Sequence, residues 1–115
     1  MGVKVGYDLH ITRREYWSDE DGPEISLDEW ISYRSHDTEL AQDPYNEGPE
    51  NTIFVAHPER WPLWWSRGEI YTKNPDDLVI SKIVRIAAAL NARVLGDDDE
   101  IYGSDPLDPS MAVPR

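Results

Sequence analysis

Asp8 and His10 stand two residues apart in a stretch where Val3, Val5, Tyr7, Leu9 and Ile11 alternate with Lys4, Gly6, Asp8, His10 and Thr12. Alternation with a period of two marks a strand with one buried face, so Asp8 and His10 share its polar face. With His57, which closes a second apolar run, they would make a two-histidine, one-carboxylate metal set, the equipment of a small metal-dependent hydrolase. The spacing gives this little support. No His-Glu-x-x-His helix, G-x-S-x-G elbow, P-loop or G-x-G-x-x-G occurs. Asp97-Asp98-Asp99-Glu100 offers oxygen ligands, but without the alternating ligands and internal glycine of an EF-hand loop it reads as a charged hairpin turn. The chain has no cysteine, which excludes disulfides and thiolate zinc sites. The expectation is therefore no catalytic residue, no cofactor and no metal: a binding protein rather than an enzyme.

Charge points to what it binds. Between Glu15 and Glu50 there are twelve acidic side chains (Glu15, Asp19, Glu20, Asp21, Glu24, Asp28, Glu29, Asp37, Glu39, Asp43, Glu47 and Glu50) and one base, Arg34, in a chain of net charge −12. A small domain stays soluble with a net charge of about 2–8, and a stronger one-sided field costs self-repulsion. A basic partner benefits from such a field. An acidic surface also repels phosphate backbones, so direct nucleic-acid binding is disfavoured, whereas mimicry of a nucleic acid stays open. The bland alternative is a solvated charged face.

The elements that must position these residues follow from local signals. Ser26 three residues before Glu29 is a capping box, and Leu27, Trp30, Ile31 and Arg34 form one helical stripe, which predicts a helix over 27–36. Residues 37–51, with Pro44, Gly48 and Pro49 among acids, read as a long loop. Thr52 to Ala56 suits a central strand. Trp61, Leu63 and Trp65 alternate with Pro62, Trp64 and Ser66, and Arg67-Gly68 turns the chain into Glu69 to Lys73, a hairpin in which Pro62 implies an edge or a strand start. If Trp61 and Trp65 enter the core, Trp64 points the other way, to cover the back of the sheet or to anchor a partner. Asn74 as N-cap, Pro75 at the first position and Asp76 and Asp77 on the dipole open a second helix with a wide apolar face. Arg93 to Leu95 and Glu100 to Tyr102 flank a terminal hairpin turn.

At 115 residues, with five Trp and six Tyr, the chain can bury one core. The expected fold is α+β: residues 1–102 as one domain, an antiparallel sheet of five to six strands with two amphipathic helices on one face, then a Pro-rich tail over 103–115. No run reaches the roughly 18 apolar residues of a membrane span, and no signal peptide opens the chain, so the expectation is a cytoplasmic protein without membrane contact.

Four blocks carry a resemblance: Tyr7-Asp8-Leu9-His10-Ile11-Thr12-Arg13, Ile25-Ser26-Leu27-Asp28-Glu29-Trp30, Lys73-Asn74-Pro75-Asp76 and Gly96-Asp97-Asp98-Asp99-Glu100-Ile101-Tyr102. Over residues 7–102 the chain resembles small acidic bacterial immunity proteins of polymorphic toxin and secretion-system effector systems. The resemblance implies a stoichiometric inhibitor, encoded beside its toxin, that protects the producing cell, and it implies no catalytic residue. Joined to the charge, it leads to a protein that occludes a cationic toxin domain. The expected contacts are Asp28, Glu29, Asp37, Glu39, Asp43 and Glu47 for charge, and Tyr33, Tyr45 and Trp64 as anchors. The alternatives are a nucleic-acid mimic that inhibits a DNA-binding or restriction enzyme, and the hydrolase centred on Asp8, His10 and His57.

Overall fold

Leu9 and Ile11 are each 1% exposed on one side of β1 (Asp8–Thr12), as their alternation requires. The computed structural model describes residues 7–105 and 107–115; Val3 and Val5, expected to begin this strand, lie outside them. After β1 come α1 (Leu27–Ser35), β2 (Leu40–Gln42), β3 (Asn51–Phe54), β4 (Trp61–Ser66), β5 (Glu69–Lys73), α2 (Asp77–Ala89), β6 (Arg93–Gly96), β7 (Ile101–Tyr102) and β8 (Ala112–Val113). The eight strands form one antiparallel sheet in the order β2-β3-β4-β5-β1-β6-β7-β8.

Trp30 of α1 and Val79, Ile83 and Ile86 of α2 join Leu9, Ile11, Leu63, Ile70 and Val94 in one core cluster, so both helices cover the same sheet face. Burying a side chain such as Ile83 contributes about 1.5–3 kcal/mol. α1 starts at the expected capping box, with Ser26 Oγ accepting from Glu29 N–H and Glu29 reaching back to Ser26 N–H. Its inner face is half polar. Arg34 is buried beside Trp30 because its guanidinium donates to Pro49 O (2.8 Å) and Thr52 Oγ1 (3.1 Å), and the Trp30 indole donates to the same hydroxyl.

Several expectations need correction. The sheet exceeds five to six strands because β2 forms inside the segment read as a loop, held by pairing to β3, and because residues 103–115 return to add β8 to β7. Neither piece is long enough for a local alternation signal. The N-cap of α2 is Asp76, whose carboxylate accepts from Val79 N–H, not Asn74. Asn74, at φ 47°, instead exchanges two hydrogen bonds with the Tyr7 backbone. Pro62 is at a strand start and not at an edge: β4 pairs with β3 along Trp61–Trp64, and engages β5 only from Trp64 onward. Arg67 and Gly68 make the expected turn with positive φ at both (52° and 82°), as a two-residue hairpin of the I′ kind demands.

The register places Asp8 opposite Lys73, His10 opposite Tyr71 and Leu95, and Tyr71 opposite Trp64. Antiparallel partners point to the same side, so these residues share the face that no helix covers. Among the described residues no helix is long and apolar enough to cross a membrane.

Candidate functional site

The open face has a strap and a cavity. After β1 the chain crosses it, laying the Trp17 ring parallel to the His10 ring with centroids 4.0 Å apart. The Trp17 indole donates to Asp97 O and its backbone N–H to Asp99 Oδ1, both at 3.0 Å, which ties the strap to the β6–β7 turn. Beneath it His10 is 3% exposed, with Nδ1 at 2.7 Å from Glu69 Oε2 and Nε2 at 3.1 Å from Asp97 Oδ1. Burial opposes a charge on the ring, but the two carboxylates outweigh it and hold the histidine pKa above its ordinary value. An imidazole engaged at both nitrogens accepts a substrate proton only by giving up a carboxylate, so it is poorly placed as a general base.

A cavity of about 830 Å³ opens here, lined by Asp8, His10, Trp17, Glu20, Glu69, Tyr71 and Lys73 among others. Two of the lining residues carry a buried polar atom that has no hydrogen-bond partner among the described residues, Glu69 Oε1 and Arg14 Nε. Leaving a buried polar group unsatisfied costs on the order of 1–3 kcal/mol, more when it is charged. Lys73 reaches Asp8 at 3.2 Å from an exposed position.

A second depression, about 300 Å³, lies further along the same face. Tyr45, Pro44, Ile53, Arg60, Pro62 and Trp64 line it, and Tyr45 is 86% exposed. Trp64 is half-buried against Tyr71, with ring centroids 5.2 Å apart, so Tyr71 links the two hollows. The structure thus brings together two of the expected anchors, Tyr45 and Trp64. It separates Tyr33, whose hydroxyl donates to Asp37 at 2.7 Å on the helical side and is pushed well above the usual tyrosine range by burial and by that carboxylate.

The acids divide into two groups that the sequence does not distinguish. Asp37 is half-buried and paired with Lys82 (2.7 Å), which also holds Glu39 (2.6 Å). Asp43 is 7% exposed and accepts from the backbone N–H groups of Tyr45 and Asn46, fixing the loop between β2 and β3. Glu29 is clamped bidentately by Arg13, which, with the Ser26 backbone, lowers its pKa to about 2. The expectation that Asp37, Glu39 and Asp43 stand free on a loop is corrected on these contacts. Glu20, Asp21, Asp28 and Glu47 are exposed and, among the described residues, their carboxylates make no ion pair or hydrogen bond.

His57 does not join His10. It caps a separate network, pairing with Asp76 at 2.7 Å and meeting the edge of Trp61. The residues that sequence reasoning missed are Trp17, Glu69 and Asp97. Glu69 had a signal, since the hairpin register puts it on the polar face with Tyr71; Asp97 stood in the acidic run read as a charged hairpin turn, with nothing to join it to His10; Trp17 had none. Comparison with protein-family models, curated proteins and solved structures finds no match.

Proposed function

We propose that this chain is a binding protein of the immunity type, which seats on a cationic toxin or effector domain and occludes the surface that holds its substrate. One observation carries the reading. The helix-free sheet face runs from the acidic strap, through the cavity lined by Glu20 and Tyr71, to the hollow lined by Trp64 and Tyr45. Carboxylates with no internal partner steer a basic surface inward, and the exposed Tyr45 beside the half-buried Trp64 supplies a desolvated anchor. The acids paired within the fold contribute only to its field.

The test is complex formation with the product of the gene adjacent to this one. The expected result is a stoichiometric complex whose association rate falls as salt rises, because the Debye length is about 8 Å at physiological ionic strength. Reversing Glu20, Asp21 and Glu47 together to lysine should abolish it while leaving the fold intact. Absence of a complex, or an association rate indifferent to salt, overturns the reading.

A further inference from the structure

Asp8 and His10 from β1 and Asp97 from the turn after β6 converge on one point. One ligand atom from each lies within 4.8 Å of the other two, the single such group among the described residues. Ligand atoms about 2.1 Å from a metal at right-angled positions are about 3.0 Å apart. His10 Nε2 and Asp97 Oδ1 are already 3.1 Å apart, so an ion can replace the proton between them with little movement of either side chain. On the other side of the ring, Nδ1 is 2.7 Å from Glu69 Oε2. A carboxylate that accepts the Nδ1 proton leaves Nε2 as the lone-pair nitrogen, which is how metal-ligating histidines are oriented. Trp17, stacked on the ring, limits its rotation.

Three carboxylates, Asp8, Asp97 and Glu69, surround the one imidazole, an excess of negative charge at the site. Glu69, which lines the cavity, is 8% exposed, and among the described residues its other oxygen, Oε1, is buried without a hydrogen-bond partner. Among the described residues the one basic side chain paired with the three ligands is Lys73, which is 54% exposed and touches only Asp8. Asp8 and His10 both line the cavity, which gives an ion a path in and leaves room for water in the remaining coordination positions.

We propose that Asp8, His10 and Asp97 bind a first-row divalent cation, with Glu69 as the residue that orients His10. One imidazole and two carboxylates suit Zn²⁺ or Mn²⁺ better than Ca²⁺ or Mg²⁺, which favour all-oxygen sites. Lys73 is a competing cation that the metal displaces from Asp8.

The test uses the purified full chain with Mn²⁺ and Zn²⁺ as probes. Substoichiometric Mn²⁺ should broaden the NMR signals of His10 and the Trp17 indole first, and Zn²⁺ should raise the melting temperature. Asp8→Asn and Asp97→Asn should each weaken Zn²⁺ binding at least about tenfold, and Glu69→Gln by about 10–100-fold. Lys73→Met should strengthen it. This variant alters an exposed side chain, so it keeps the proposal testable if Asp97→Asn, which loses an acceptor for the Asp8 N–H, does not fold. Broadening spread evenly over the exposed acids, or Zn²⁺ affinity identical in wild type, Asp8→Asn and Lys73→Met, overturns the proposal and marks any binding as nonspecific attraction to an acidic chain.

Discussion

Lys82 Nζ lies 2.7 Å from Asp37 Oδ2, with only 5% and 10% of the two side chains exposed, so α2 reaches across to a carboxylate that opens the segment before β2. The contact joins residues 45 positions apart and pins the strand that sequence reading took for loop. It also removes Asp37 from the surface. Removing one partner of a buried pair leaves the other charge uncompensated, which costs about 3–5 kcal/mol.

Asp37→Ala should therefore destabilise the fold by about 3 kcal/mol, since Lys82 keeps Glu39 as a second partner. Glu20→Ala and Asp21→Ala, exposed and unpaired, should change stability by no more than ~0.5 kcal/mol. Urea melts of the three variants check this. An Asp37 variant as stable as the wild type would mean that Glu39 alone satisfies Lys82.

Tyr45→Ala should be silent in the same melts, because the ring is 86% exposed. Binding to the adjacent gene product should nevertheless weaken by at least ~2 kcal/mol, roughly thirtyfold, if Tyr45 is an interface anchor. Trp64→Ala should weaken binding and also cost some stability, since its ring already packs on Tyr71. Calorimetric titration beside the melts separates the two effects.

Stability of the metal-free chain should fall at both ends of the pH range. Burial raises the Asp37 and Asp76 pKa values, but hydrogen bonds outweigh it, from Lys82 and Tyr33 to Asp37 and from the Val79 N–H and His57 to Asp76, so both groups titrate below the ordinary carboxylate value. Their contribution is present above the unfolded value of about 3.9 and is lost as pH falls through the lower folded values. His10 has the opposite sign. Its folded pKa is raised, so its contribution is complete below about 6.5 and is lost as pH rises through the folded value. Melting temperatures across acid to alkaline pH, with NMR titration of His10, check both arms; a His10 pKa below 6.5 would mean that burial outweighs Glu69 and Asp97.

What the chain specifies locally was legible in advance. The alternation in β1, the capping box at Ser26 and Glu29, the I′ turn at Arg67 and Gly68 and the apolar stripe of α2 each depend on neighbours within about four residues, and one sequence displays those neighbours directly. Even the outward direction of Trp64 followed from its parity with Trp61 and Trp65. Tertiary structure alone decided which carboxylates are surface and which are structure. Asp37 and Glu20 are the same kind of group in the same acidic segment, and only the arrival of Lys82 from α2 tells them apart. The short strands β2 and β8 exist because a neighbouring strand pairs with them, not because of any propensity of their own. The His10 cluster is the extreme case: its partners Glu69 and Asp97 lie 59 and 87 residues away, and sheet order, set by burial of the opposite face against the helices, is what brings them to one ring.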